Sequence, residues 1–233
     1  MRKDAFVPNE YYHIYNRVIF SMPEFRVSKN ADRLEQAFLL ANSTKSAEAF
    51  QFLRNNKDAS LKDAIEIAKQ GNKLVDVLCY SIMPDHYHLL VKEIRENGIV
   101  NFVRKCDISI SKYINISQDR KGPLFESFFK SKHVSTNEYL IHLSVYIHLN
   151  PLDFISGKEW RWHKLKNWTN VKNNLLKYKW SSLKSFLNPS EENKIISGQQ
   201  IILDQFNTSE NYESFLRDWS EESMTAINAV VIE

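Results

Sequence analysis

Two histidines, His86 and His88, stand one residue apart in segment 83–91 (MPDHYHLLV). Side chains of a β-strand alternate between two faces, so an extended segment puts both imidazoles on one face and Tyr87 on the other. Two imidazoles held side by side form half of a site for a divalent metal ion. Taken alone, such a pair is more often a surface pair or a satisfied pair in the core.

A second set of polar residues follows at helical spacing. His142, Tyr146 and Asn150 are four residues apart, which places them along one face of a helix. Residues 135–138 (STNE), with Ser135 as the cap, fit a capping box, so a helix is predicted over residues 136–149. The stripe is either a reactive face or a set of ordinary residues: a buried aromatic, an exposed histidine and a C-terminal cap.

Five short motifs occur in one order along the chain: residues 12–17 (YHIYNR), 83–91 (MPDHYHLLV), 122–130 (GPLFESFFK), 146–151 (YIHLNP) and 178–182 (YKWSS). Together they resemble the single-tyrosine HUH transposases, and most closely the REP-associated tyrosine transposases. The resemblance extends over residues 11–187, most of the chain. One position departs from it, because Phe128 stands where that family usually has an arginine.

The resemblance implies a role for each matching residue. His86 and His88 match the two histidines that bind the divalent metal. Asn150 matches the third metal ligand, and Tyr146 matches the nucleophile. The implied reaction is cleavage and strand transfer of single-stranded DNA at hairpin-associated ends, through a 5′-phosphotyrosine and a free 3′-hydroxyl. The implied partner is single-stranded DNA with a REP-like or element-end hairpin, and a homodimer is one alternative for the assembly.

Elementary chemistry agrees with these roles. A tyrosine hydroxyl ionises near pH 10, so at neutral pH it needs activation to attack a phosphate. A divalent cation would withdraw charge from the phosphate and stabilise the developing oxyanion. Imidazole is a softer ligand than Mg²⁺ prefers, so of the two expected cofactors, Mn²⁺ or Mg²⁺, we expect Mn²⁺ to be at least as effective. The proton acceptor is unassigned, with His142, His148 and water as candidates.

Charge is distributed unevenly. The net charge is +3, but residues 191–233 hold nine acidic and two basic residues, so residues 1–190 carry +10. Basic side chains attract nucleic-acid phosphates. The residues expected to contact DNA are Arg17, Arg104, Lys105, Lys112, Arg120, Lys121, Lys130, Lys132, Arg161 and Lys164. Aromatic residues interleave with the basic ones over residues 158–184, where packing is favoured over base stacking for the individual tryptophans Trp160, Trp162, Trp168 and Trp180.

The rest of the sequence predicts the elements that position these residues. Strands are predicted over residues 11–19, 74–83, 86–91 and 125–134, and helices over residues 31–42, 47–54, 61–69, 100–116 and 136–149. This β-α-β-β-α-β order predicts an α+β fold, a ferredoxin-like split βαβ antiparallel sheet with helices packed on one face.

The resemblance also implies the domain organisation. It implies that residues 1–190 form an HUH single-tyrosine transposase domain, with a helical insertion at about residues 43–73. Residues 191–233 are an acidic C-terminal extension with a helix near residues 210–220. The extension either docks on a basic surface or forms a solvated terminal helix, and the solvated helix is favoured.

Composition narrows the functional classes. Two cysteines, Cys79 and Cys106, fit a reducing compartment better than a disulfide framework, and no apolar run reaches the length of a membrane span. We expect a cytoplasmic, bacterial-type, nucleoid-associated protein without a membrane partner. The alternatives to a transposase-like enzyme are a domesticated, catalytically silent DNA- or RNA-hairpin-binding protein and a metal-dependent phosphodiesterase. The phosphodiesterase is disfavoured because the candidate ligands include no carboxylate to activate water.

Overall fold

An antiparallel sheet forms the centre of the computed structural model, which describes residues 5–56, 58–161, 163–188 and 190–219. Its strands are β1 (Tyr11–Arg17), β2 (Val75–Ile82), β3 (His86–Glu93) and β4 (Lys130–Val134), in the order β2-β3-β1-β4. In this register Tyr15 lies opposite both His88 and Lys130. The histidine strand is therefore an inner strand, flanked by β2 and β1.

Helices connect and cover the strands. They are α1 (Ser28–Ala41), α2 (Ser46–Asn55), α3 (Leu61–Lys69), α4 (Gly98–Ser117), α5 (Asn137–Leu149), α6 (Leu152–Ile155), α7 (Trp168–Lys177), α8 (Leu183–Leu187), α9 (Gln200–Leu203) and α10 (Ser209–Arg217). The predicted α+β, ferredoxin-like order of elements is confirmed. Among the described residues, no helix is both long enough and apolar enough to cross a membrane.

The last strand is shorter than predicted. Strand β4 begins at Lys130, whereas the sequence pattern suggested a start at residue 125. Residues near Phe125 do pair with the chain just after β1, since Val18 and Phe125 form an isolated antiparallel bridge. The two pairings are separated by residues 126–129, which interrupt the ladder that β4 forms with β1.

Helices cover both faces of the sheet. Side chains alternate along every strand, so each face has its own apolar side chains to bury against helices. One face packs with α1 and α4 through Ile14, Tyr87 and Cys106. The other face packs with α5, α8 and α10 through Cys79 and Leu90. The predicted single helical layer is therefore extended by a second one. Helix α5 requires it because almost its whole circumference is apolar and buried.

Helix α5 begins with a side-chain cap. The Thr136 hydroxyl accepts a hydrogen bond from the Tyr139 backbone N–H at 3.1 Å. The prediction of Ser135 as the capping residue is therefore wrong by one position, since Thr136 has the extended backbone that a cap requires. The predicted end of the helix at Leu149 is confirmed.

Residues 43–73 contain the two helices predicted there, α2 and α3. Ala49, Ala64 and Ala68 pack with Leu40 of α1 in a small core of their own. The Lys105 ammonium of α4 donates a hydrogen bond to the Ser46 hydroxyl at 2.6 Å and so connects α4 to the start of α2.

Helix α10 packs against α5. Tyr212, Leu216 and Trp219 are buried, and the Tyr212 hydroxyl lies 2.7 Å from His148 Nδ1. The prediction of a solvated terminal helix is therefore wrong for this part of the extension. Its apolar side chains complete the core on the face of the sheet that α5 covers. The acidic composition of the segment did not indicate that these side chains are buried.

The acidic face of α10 contacts the basic segment that precedes it. Glu213 accepts hydrogen bonds from the Lys172 ammonium at 2.6 Å and from Trp168 Nε1 at 2.9 Å. Asp218 lies 3.9 Å from the Lys164 ammonium. The sequence favoured a solvated helix over docking of the extension on a basic surface. For residues 209–219, docking on a basic surface is the correct alternative.

A buried carboxylate connects α4 to the sheet. Asp107 accepts hydrogen bonds from the Tyr87 hydroxyl at 2.8 Å and from the Asn16 amide at 2.9 Å. Burial raises the pKa of Asp107 to about 7, although both hydrogen bonds act in the opposite direction. Ionisation of this group therefore costs the folded state free energy.

We expect Asp107→Asn to change how stability depends on pH. An unfolded chain releases this proton near pH 4, whereas the folded protein holds it to about pH 7. The folded wild type therefore loses stability as the pH rises between these values, by up to about 1.4 kcal/mol per pH unit relative to the variant. Urea unfolding of both proteins from about pH 5 to about pH 8 measures the difference.

The exposed Asp58 supplies a control for this measurement. Asp58→Asn should leave the shape of the pH profile of the wild type unchanged. Parallel profiles for the wild type and Asp107→Asn would contradict the account of the buried carboxylate.

Candidate functional site

The histidine pair lies at the end of the sheet where β3 begins and β1 ends. A small cavity there is lined by side chains from three segments of the chain: Tyr15, Asn16, Arg17, His86, His88, Glu126, Ser127 and Lys130. The Lys130 ammonium is 5.9 Å from the centroid of the Tyr15 ring. The cavity therefore places two imidazoles beside two basic side chains, those of Arg17 and Lys130.

His86 and His88 lie on the same face of the sheet, as strand alternation predicts. Their ring centroids are 4.9 Å apart, with the rings nearly perpendicular at 88°. His86 Nδ1 is 2.6 Å from an Asp85 carboxylate oxygen, and His88 Nδ1 is 2.9 Å from His13 Nε2. Since each Nδ1 is engaged, Nε2 is the nitrogen through which each ring would bind a cation.

Electrostatics keeps these groups in the forms that suit metal binding. Burial, together with the neighbouring histidines and arginines, holds the pKa of His88 well below its ordinary value, so the ring is neutral at neutral pH. Burial acts to raise the pKa of Asp85, but its hydrogen bond to His86 and the nearby positive charges lower it overall. A carboxylate can only accept hydrogen bonds, so Asp85 holds the proton of His86 on Nδ1.

Helix α5 brings Tyr146 to the histidines. The Tyr146 ring centroid lies 5.7 Å from that of His88, with the rings at 76°. The tyrosine is only 1% exposed. The Arg161 guanidinium covers its ring at 5.4 Å from the centroid, and Trp160 packs beside it at 6.2 Å. The structure thus joins the predicted histidine pair to the predicted nucleophile.

One carboxylate anchors the cover over Tyr146. Arg161 donates two hydrogen bonds to Asp153, from Nε at 3.1 Å and from a terminal nitrogen at 2.6 Å. Trp160 Nε1 donates to the same carboxylate at 2.7 Å. A bidentate arginine–carboxylate pair fixes geometry as well as charge. Arg161, which was expected to contact DNA, is held against the tyrosine in this conformation.

Asn150 lies one helical turn beyond Tyr146 and is fully buried. Neither atom of its side-chain amide has a hydrogen-bond partner among the described residues, and the same holds for His86 Nε2. A buried polar group without a partner costs about 1–3 kcal/mol, so these atoms are suited to a ligand that would satisfy them.

The donor set fits a divalent cation. Imidazole nitrogen and amide oxygen are ligands that Mn²⁺ accepts, and Asn150 adds no charge to the two histidines. In the part of the chain that the structure describes, no group of three or more His, Cys, Asp or Glu side chains could hold a metal ion. A site here would therefore depend on the amide as well as on His86 and His88.

His148, one of the candidate proton acceptors, is engaged on both of its ring nitrogens. Its two ring nitrogens lie 2.7 Å from the Tyr212 hydroxyl and 2.8 Å from the Ser182 hydroxyl. Burial lowers the pKa of His148 to about 3. The ring therefore connects α5 to α10 and α8. His142 packs beside Phe215 of α10, and burial lowers its pKa as well.

The basic residues expected to contact DNA do not form one surface. Three belong to the histidine side of the sheet: Arg17, Lys130 and Lys132. Three belong to α4, which packs on the opposite face: Arg104, Lys105 and Lys112. After α4, Lys121 is exposed, and Arg120 lies 3.7 Å from Glu24. Of these residues, Arg17 and Lys130 line the cavity.

The aromatic and basic segment 158–184 is mostly engaged within the fold. Its ion pairs join Lys172 to Glu213, Lys179 to Asp32 and Lys184 to Glu191. The predicted packing of the tryptophans is confirmed for Trp160, Trp168 and Trp180, while Trp162 lies outside the described residues. These contacts weaken the expectation that this segment is a nucleic-acid surface.

Sequence reasoning missed three residues that support the site: His13, Asp85 and Asp153. His13 lies inside the motif at residues 12–17, where alternation along the strand would have placed it on the histidine face. Asp85 lies between the predicted strands 74–83 and 86–91, where the sequence indicates no role for it. Asp153 carries no signal in the sequence, because its partners are seven and eight residues away in a separate short 3-10 helix, Lys158–Arg161.

We expect Asp85→Asn to weaken metal binding through His86. Loss of the carboxylate that orients a ligating histidine typically lowers metal affinity about 10- to 100-fold. Titration of Mn²⁺ into the wild type and the variant, followed by electron paramagnetic resonance, measures the change.

Glu10→Gln is the matched control, because Glu10 and His133 form a carboxylate–histidine pair of the same kind at 2.8 Å, away from the cavity. This variant should bind Mn²⁺ as the wild type does. Equal affinities in the wild type and Asp85→Asn would contradict the role given to Asp85.

Comparisons with known proteins agree with this site and fold. The family model described as "Transposase IS200 like" matches residues 46–150, a range that includes both histidines, Tyr146 and Asn150. A solved structure, a REP-associated tyrosine transposase bound to a REP hairpin, shares the fold with a TM-score of 0.51. The two chains are 8% identical, and the alignment covers 85% of this chain and 91% of that one. No curated protein matches the sequence. The resemblance to the single-tyrosine transposases is therefore confirmed over residues 46–150, and the solved structure confirms the fold.

Proposed function

We propose that the protein cleaves and rejoins single-stranded DNA at hairpin-associated ends, through a covalent 5′-phosphotyrosine formed on Tyr146. The observation that carries this proposal is the contact between the Tyr146 and His88 rings, 5.7 Å between centroids. It brings a tyrosine from α5 to the histidine pair on β3. The likeness to IS200-like transposases supports the same reaction class.

In this proposal the Tyr146 hydroxyl oxygen attacks a backbone phosphorus. The new bond from oxygen to phosphorus forms as the bond to the 3′ oxygen breaks, and the departing oxygen takes up a proton while the tyrosine gives one up. The phosphodiester energy is conserved in the phosphotyrosine, so a 3′-hydroxyl can later reverse the step and join strands.

His86, His88 and Asn150 would hold the divalent cation. Such an ion supplies Lewis-acid polarisation of the phosphate and neutralises its charge. Asp85 and His13 would fix the two imidazoles so that Nε2 of each faces the ion. The family resemblance supports dependence on a divalent metal, and the softness of the ligands leads us to expect Mn²⁺ to serve at least as well as Mg²⁺.

The substrate we propose is a DNA hairpin with an unpaired extension. A transposase of the same fold has been solved with a REP hairpin bound. Arg17 and Lys130 at the cavity, with Lys132 further along β4, would contact backbone phosphates near the cleaved bond. Such an enzyme would act in the cytoplasm, beside chromosomal DNA.

A catalytically silent protein that binds DNA or RNA hairpins is the second candidate. The burial of Tyr146 under Arg161 and Trp160 favours it, because a phosphate cannot reach the hydroxyl in this conformation. The enzyme requires residues 158–161 to move away from the tyrosine. The silent protein requires no such movement, and it predicts binding without covalent chemistry.

Covalent capture of DNA separates the two candidates. Purified protein is incubated with Mn²⁺ and labelled single-stranded hairpins from both flanks of its own gene, then resolved on a denaturing gel. The wild type should give a protein–DNA adduct that survives SDS. Tyr146→Phe should give none, because the ring then lacks the attacking oxygen.

The same gel tests the metal. EDTA should abolish the adduct, and Mn²⁺ should restore it at least as well as Mg²⁺ at equal concentration. Tyr139→Phe is a matched control, since Tyr139 lies on the same helix, two turns earlier. An adduct that persists in Tyr146→Phe, or hairpin binding by the wild type with no adduct, would overturn the proposal.

A further inference from the structure

Phe128 is the most exposed of the large hydrophobic side chains in the described part of the chain, at 92%. Its neighbours Phe125 and Phe129 are buried. The segment before β4 therefore turns two of its phenylalanines into the core and directs the third into solvent. A phenylalanine in such a position contributes nothing to the packing of the fold.

The backbone around Phe128 is held in place. The Ser127 hydroxyl donates to the Phe128 carbonyl at 2.8 Å, and the Asn16 amide donates to the Ser127 carbonyl at 3.4 Å. The next side chain, Phe129, stacks against Phe6 at 6.3 Å. The exposed ring thus projects from an anchored segment.

This segment borders the histidine cavity. Ser127 and Lys130 both line it, and Phe128 stands between them in the chain. Arg17 lines the same cavity from the end of β1. Arg17 and Lys130 bring two positive charges to this cavity, and Glu126 brings one negative charge. Cations attract phosphates and an exposed aromatic ring can stack on an unpaired base, so an exposed ring on a segment that lines such a cavity suits single-stranded nucleic acid.

We propose that Phe128 stacks on one unpaired nucleobase of the DNA strand whose phosphate enters the histidine cavity. This inference rests on the proposed function for the identity of the substrate. The contact would favour an unpaired base over a paired one, because only an unstacked base can offer its face to the ring. Every base has such a face, so the contact would tolerate sequence variation.

Binding of a labelled hairpin oligonucleotide with a single-stranded extension, taken from the flank of the gene, tests the proposal. Phe128→Ala should weaken binding about 5- to 150-fold, and Phe128→Trp should retain it, because an indole also stacks. The dependence of affinity on salt should not change, since no phosphate contact is lost. Ile116→Ala is the matched control, because Ile116 is 83% exposed on α4, on the other face of the sheet.

Abasic substitutions identify the base. Nucleotides of the extension are replaced one at a time by an abasic residue. At the stacked position, the abasic substitution should lower the affinity of the wild type to that of Phe128→Ala. The same substitution should not lower the affinity of Phe128→Ala any further. Wild-type affinity in Phe128→Ala, or losses that add at every position, would overturn the proposal.

The covalent-capture gel distinguishes failure of the stacking proposal from failure of the proposed function. Coupled losses at one nucleotide without any adduct would support the stacking site and overturn the nuclease. An adduct on Tyr146 with wild-type binding by Phe128→Ala would support the nuclease and overturn the stacking site.

Discussion

The alternation of strand β3 between two buried faces is the constraint on which the site depends. Tyr87 points to one face, where its hydroxyl is bound by Asp107 of α4. His88 points to the other, where α5 delivers Tyr146. A slip of one residue in the pairing of β3 would exchange these faces and separate the histidines from the tyrosine. Because both faces are covered by helices, such a slip would also expose the two cores.

The second helical layer determines where Tyr146 stands. Helix α5 lies between the sheet and α10, and His148 connects it to Tyr212 and Ser182. The acidic C-terminal helix therefore helps to hold the helix that carries Tyr146. Above the tyrosine, the Asp153–Arg161 pair closes the site. In the proposed reaction, a phosphate would reach the tyrosine only after that pair moves aside.

Local patterns were sufficient to predict most of the fold and the central residues of the site. The alternation around His86 and His88, and the four-residue spacing from Tyr146 to Asn150, are local rules that depend on a single element. The contacts between elements could not be predicted in this way. Asp153 reaches Arg161 of a separate short 3-10 helix, and Tyr212 reaches His148 across 64 residues of sequence. The acidic surface of α10 concealed its buried side, so composition alone gave the wrong environment for that helix.

The central claim is that β3 and α5 together form a site for a divalent cation beside a reactive tyrosine. A crystal structure of the protein soaked with Mn²⁺, with anomalous diffraction recorded at the manganese edge, tests it most directly. The account predicts one strong anomalous peak within bonding distance of Nε2 of His86 and Nε2 of His88, with the Asn150 amide oxygen as a third ligand. A crystal soaked in excess Mn²⁺ that shows no peak at the histidine pair, or that shows the manganese bound elsewhere, would contradict it.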